Sequence, residues 1–191
     1  MMDGQAPEGW ETTEKNSLKL TNDNELKIKS VEIPGMVFYY PKEVINPGEG
    51  VYFKFRYVGT QAALTLGFDN IRANGELVPN GEDGFRSVAM VMDGQNLYAH
   101  IVQNKFQGDG YFVGNITLQE DTWYHIALAY DEKGDYIIKI WDPETTKSPL
   151  IYMRNWVDFP DAYYFISWIS NHRTLWMDDF TIFSFEDILQ E

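Results

Sequence analysis

The chain has 191 residues, of which 44% are apolar and 16% aromatic, and its 29 acidic against 15 basic residues leave a net charge of −14. That is enough apolar material for one packed domain, and the acidic excess argues against nucleic acid, anionic membrane surfaces and uncompensated acidic polysaccharides as partners. There is no cysteine, so thiol catalysis, zinc ribbons and disulfide staples are all excluded.

In chain order, residues 1–9 are polar and read as a disordered or added N-terminal stretch with no signal peptide. Leu18 and Leu20 alternate with Lys19, and Leu26 and Ile28 with Lys27 and Lys29, across a Thr21-Asn22-Asp23-Asn24 turn. This is a hairpin signature. From Val51 to Val58 the alternation is clean, with Val51, Phe53, Phe55 and Tyr57 on one face and Lys54 and Arg56 on the other. Gln61 to Phe68 follows, then Phe85 to Met92 and Leu97 to Val102 joined by Asp93-Gly94-Gln95-Asn96. Tyr111 to Leu118, Trp123 to Tyr130, Tyr136 to Trp141, Leu150 to Met153, Tyr163 to Ser170 and Leu175 to Phe185 complete the strands. About a dozen short strands at near-regular spacing predict an all-β sandwich or barrel, with helical character only after Glu186. Two long loops are expected, from Asp69 to Gly84 and from Asn104 to Gly110. No apolar run approaches the roughly 20 residues needed to span a bilayer.

The segment Thr122-Trp123-Tyr124-His125-Ile126-Ala127-Leu128-Ala129-Tyr130-Asp131 resembles a strand of laminin G-like and related concanavalin A-like domains. The closing strand, with Asp178-Asp179 inside Leu175 to Ile182, is similar to the last strand of those domains and of jelly-roll carbohydrate-binding modules. The resemblance implies an antiparallel two-sheet jelly-roll sandwich of concanavalin A-like type, taken here as one domain over residues 10–186 with a tail at 187–191. It also implies a structural Ca²⁺ held by Asp178 and Asp179 with an N-terminal acidic residue, Glu14 or Glu11. Ca²⁺ takes six to eight hard oxygen ligands, and adjacent strand residues face opposite ways, so the pair converges only through a bulge. The alternative is one aspartate capping a bulge and the other solvated.

The superfamily contains enzymes as well as binders. The glucanase strand signature E-x-D-x-x-E, which sets two carboxyl groups about 5–5.5 Å apart for a retaining mechanism, is absent from the chain. The acidic pairs Asp142/Glu144, Asp158/Asp161 and Glu186/Asp187 fall in turns or in the tail. His100 and His125 lie in strands, where packing or hydrogen bonding is the ordinary role. Asn115-Ile116-Thr117 fits an N-glycosylation site in a eukaryotic secretory host.

Sugar recognition needs aromatic faces for C–H-rich pyranose rings and planar polar groups for hydroxyls. Trp156 and Asp158 sit in the segment before Pro160, and Asn171 and Arg173 join the last two strands, expected at the same end of the sandwich. Tyr111 and Phe106 flank the Gly-rich stretch at 108–110. Trp156, Tyr111, Phe106, Arg173, Asn171 and Asp158 are therefore the expected carbohydrate-binding residues. Trp141 shares parity with Lys139 and is also expected to face outward. The chain reads as a non-catalytic, monomeric, extracellular module of a larger protein that binds a neutral polysaccharide or oligosaccharide. The alternatives are a laminin G-like adhesion domain and a glycan-active lyase or hydrolase of unfamiliar site design.

Overall fold

A computed structural model of the chain describes residues 8–12, 18–23, 25–29, 36–59, 64–79, 82–93, 96–103, 107–114, 118–133, 135–142, 144, 150–155, 162–169 and 174–190. The strands are β1 (Glu11–Thr12), β2 (Leu18–Leu20), β3 (Leu26–Lys29), β4 (Met36–Ile45), β5 (Glu49–Val58), β6 (Leu64–Asn70) and β7 (Arg86–Asp93). They continue with β8 (Asn96–Gln103), β9 (Gln107–Gly114), β10 (Tyr124–Tyr130), β11 (Asp135–Trp141), β12 (Leu150–Asn155), β13 (Tyr163–Ile169) and β14 (Thr174–Ser184), followed by the helix α1 (Phe185–Gln190). They form two seven-stranded sheets, β1-β4-β13-β6-β7-β8-β9 and β12-β11-β10-β5-β14-β3-β2. Every pairing described is antiparallel.

The alternation of β5 drives the assembly. Val51, Phe53, Phe55 and Tyr57 are each 0% exposed and point between the sheets, while Tyr52, Lys54 and Arg56 point the other way. Tyr124, Ile126, Leu128 and Tyr130 of β10 do the same beside them. The facing sheet contributes Leu66 and Phe68, Val88 and Met90, and Tyr163 and Phe165. Rings interlock across the gap, with Phe53 on Phe165 at 5.3 Å and Phe68 on Tyr130 at 5.6 Å between centroids. Buried tyrosine hydroxyls need acceptors, and Tyr130 donates to the Ile45 carbonyl (2.7 Å) and Tyr57 to that of Leu118 (2.6 Å). Trp10 closes one corner of the core against Tyr40, Phe165 and Phe180.

Several elements differ from the sequence reading. β4 is unexpected, because Pro41 breaks its pattern and cannot donate to a ladder. The sheet accommodates it in a wide irregularity: Tyr40 pairs with Phe165 and Ile45 with Tyr163, so residues 41–44 face only Tyr164. β9 starts at Gln107 rather than Tyr111, and Gln103 pairs with Gln107, so most of the expected loop from Asn104 to Gly110 is strand. The Asp69–Gly84 segment is also more ordered than expected. Asp69 and Asn70 belong to β6, Ile71 bridges Leu77, and the Asn70 amide donates to Gly84 O (2.9 Å) while its oxygen accepts from Arg86 N–H (2.8 Å). The C-terminal tail is a docked helix beginning at Phe185, which is 6% exposed.

Candidate functional site

β14, β5, β10 and β11 lie side by side, and their register fixes rows of residues on the face turned away from the core. One row runs Thr181–Tyr52–Ala127–Lys139, and the next Asp178–Lys54–His125–Trp141. On the other side the row is Phe183–Gly50–Ala129–Ile137. Small side chains at outward positions leave a trough, and Gly50 is obligatory there. A Cβ on it would stand 2.4 Å from Ala129 Cβ and 2.5 Å from Leu128 O. Phe185 of α1 packs onto Ala127, Ala129 and Ile137, with Trp141 and Phe183 against the cluster. This is why β10 is buried on both faces, unlike β5.

What α1 leaves uncovered is a groove of about 460 Å³ lined by Tyr52, His125, Ala127, Lys139, Trp141, Thr181, Phe183 and Asp187. Its walls are aromatic: His125 lies 5.2 Å and Tyr52 6.1 Å from Trp141 between centroids. Its polar groups are held in place. Tyr52 Oη is 2.7 Å from His125 Nδ1, and Lys139, 4% exposed, sets its ammonium 5.4 Å from the Trp141 centroid. Burial, and secondarily the charge of Lys54, hold the His125 pKa below its ordinary 6.5 against the weaker pull of Asp179 and Asp142. The imidazole is therefore mainly neutral at pH 7, and with its proton on Nε2 it accepts the Tyr52 hydroxyl at Nδ1. Beyond the His125 row the same face carries Trp176, with Arg56 at 4.3 Å and Lys27 at 4.8 Å from its ring, and Arg56 also 5.2 Å from Trp123. These contacts use cations to brace the indoles.

The outer face of the other sheet holds a second polar feature. Asp69 stands in one row between Tyr164 of β13 and Ser87 of β7. Burial pushes its carboxyl up to about 6, opposed by the hydrogen bond from Ser87. Nearby, Tyr39 stacks on Tyr164 at 6.4 Å and donates to Glu11 (2.5 Å), and burial together with that carboxylate raises the Tyr39 phenol to about 12.

Of the residues expected from sequence, Trp156, Asp158, Phe106, Asn171, Arg173 and Glu14 lie outside the described residues. Tyr111 sits opposite Ala99 in β9, and its side chain is likewise outside them. The expectation that Trp156 and Asp158 share one end of the sandwich with Asn171 and Arg173 falls on residues outside the described ones. The groove residues were missed because they are scattered over β5, β10, β11, β14 and α1. The available signals were the small outward residues Gly50, Ala127 and Ala129 and the parity of Trp141 with Lys139.

Asp178 and Asp179 do form a bulge, between the pairs Asp178↔Lys54 and Thr181↔Tyr52, with Asp179 at φ 54°. The bulge directs them to other work than metal binding. Asp178 Oδ1 accepts the Asp179 N–H (2.9 Å), and Asp179 Oδ2 meets Lys54 Nζ at 2.5 Å. That hydrogen bond raises the Lys54 pKa. An ammonium already neutralises the carboxylate a Ca²⁺ would need, and among the described residues no three His, Asp or Glu side chains gather at a metal-sized site. The pair as placed does not fit the calcium centre expected of it.

No protein-family model matches this chain, and no curated protein sequence matches it. Solved structures do. The exoplasmic/lumenal domain of VIP36 in its Ca²⁺/Man3GlcNAc-bound form is similar with a TM-score of 0.63 at 13% identity, over 92% of this chain and 86% of that one. A Bacillus subtilis protein with a galectin-like fold gives a TM-score of 0.64 at 13% identity, over 92% and 89%. The Bacillus licheniformis β-glucanase gives 0.62 at 7% identity, over 95% of both chains. At such identities the likeness is one of architecture, and it agrees with the two sheets and the closing strand described above: the chain has the antiparallel jelly-roll fold of the concanavalin A-like kind.

Proposed function

We propose that this protein is a non-catalytic carbohydrate-binding domain that holds a sugar in the groove between β5, β10, β11 and α1. The observation that carries the reading is the lining itself. Trp141 and Tyr52 offer aromatic surface to the C–H face of a pyranose, and His125, Lys139, Thr181 and Asp187 surround it with donors and acceptors for hydroxyls. Two solved structures of the same fold carry glycan chemistry in their own right, VIP36 with Man3GlcNAc bound and the β-glucanase.

Binding without turnover is supported by the acid inventory. Asp187 is the single carboxylate among the described residues that line the groove, whereas glycoside hydrolysis uses two carboxyl groups flanking the bond. The adhesion alternative lacks a comparable feature. Among the described residues the exposed large apolar side chains are Val44 and Val58, on strands of different sheets, which is no contiguous patch. Glycans are met mainly outside the cell or in the secretory lumen, and the reading places the protein there.

A glycan array or affinity electrophoresis on a polysaccharide panel tests this. At least one glycan is retained by the wild type, and Trp141→Ala weakens that retention by about tenfold or more, roughly the worth of one stacked aromatic. Retention by no glycan sinks the proposal. Loss on Trp156→Ala with full retention by Trp141→Ala moves the site from the groove to the 156–161 segment.

A further inference from the structure

We infer that the groove is a socket for the terminal residue of a glycan, not a track for an internal stretch of chain; this rests on the sugar-binding reading above. The register places Ala127 at the floor. Its methyl is the low step between Tyr52 on one flank and Lys139 on the other, in a single cross-strand row, and all three line the cavity. In the adjoining row toward the start of β10, His125 and Trp141 stand side by side. In the opposite direction the sheet runs under α1, where Phe185 packs down and Asp187 lines the cavity.

The helix is pinned there: Phe185 N–H donates to Gly48 O at 2.8 Å, just ahead of β5. Tyr52, Lys139, the His125–Trp141 pair and α1 thus border Ala127 on the sheet, and the groove opens to solvent. A polysaccharide lying along the sheet needs two open ends. At one end it meets α1, and at the other the His125–Trp141 pair, backed by the Lys54–Asp179 ion pair. A sugar seated on Ala127 therefore continues outward through the mouth. The volume of about 460 Å³ sits low in the range of roughly 300–1,000 Å³ for small-ligand sites, in keeping with a short terminal unit.

Chain length is the test. Gluco-, manno- and galacto-oligosaccharides of one to six residues are titrated into the full chain by calorimetry, and the parent polymers are compared before and after partial hydrolysis. For the series that binds, affinity reaches its plateau by the disaccharide and stays within about twofold up to the hexasaccharide. Binding per gram of polymer rises as hydrolysis multiplies chain ends. A gain of about tenfold or more between disaccharide and hexasaccharide overturns the socket and leaves the sugar reading standing, whereas no binding in any series overturns both.

Ala127→Leu fills the floor and removes binding of monosaccharide and hexasaccharide alike. Undiminished hexasaccharide binding by Ala127→Leu contradicts the socket. Should that variant fail to fold, judged by its melting curve, the wild-type length series still decides.

Discussion

Asp69 shows how a single side chain can work against stability. Its carboxyl is pushed up to about 6 by burial, so the folded state holds the proton more tightly than the unfolded chain. The stability this contributes is fully present below the ordinary carboxylate value near 4 and is lost as pH rises through about 6. Asp69→Asn is therefore expected to raise stability at pH 8 by about 1–2 kcal/mol, allowing for the partial exposure of the carboxyl, or roughly 2–8 °C in melting temperature. The gain disappears below pH 4, and thermal melts of both proteins across that range check it. Asp178 and Asp179 give the second prediction at this scale. Because a backbone N–H and the Lys54 ammonium already engage them, EDTA leaves the melting temperature unchanged, and a fall on chelation would show that a bound metal contributes.

At the scale of elements, whether a strand was readable depended on how much of its pattern survives interruption. β5 was readable because every second residue from Val51 to Tyr57 is large, apolar and wholly buried. β4 was not, since Pro41 sits in the stretch where residues 41–44 lose their pairing. In β9, Gly108, Asp109 and Gly110 look like a turn and are paired with Val102, Ile101 and His100. The cost of close strand approach is testable here. A methyl on Gly50 meets the Leu128 carbonyl oxygen at 2.5 Å and Ala129 Cβ at 2.4 Å, and backbone cannot yield as a flexible side chain does. Gly50→Ala is expected to destabilise by roughly 1–3 kcal/mol in chemical denaturation, the range of overpacked core positions. An effect under about 0.5 kcal/mol would mean that β5 and β10 are less tightly apposed than described.

At the scale of the whole molecule, the two-sheet sandwich was recoverable from alternation and turn spacing, because both are local properties of the chain. The groove was not. Tyr52, His125, Lys139 and Thr181 become neighbours only through the register of four strands, and register is set by tertiary pairing that no single segment records. Loop aromatics such as Trp156 looked favourable because loops commonly carry function, whereas the groove is built on the sheet itself and walled by a helix that sequence marked only as a tail. The net charge of −14 fits this arrangement, since a site made of aromatic faces and hydroxyl partners does not depend on a basic surface.

The most direct measurement of the central claim is an NMR titration of the labelled protein with a glycan it retains, following the Trp141 indole N–H and the Ala127 methyl. Both resonances are predicted to shift saturably with the same dissociation constant, while Gly67 and Ala89 on the opposite sheet stay fixed. Shifts confined to the opposite sheet, or to the segments around Trp156 and Arg173, with Trp141 and Ala127 unmoved, would contradict the assignment of sugar binding to this groove.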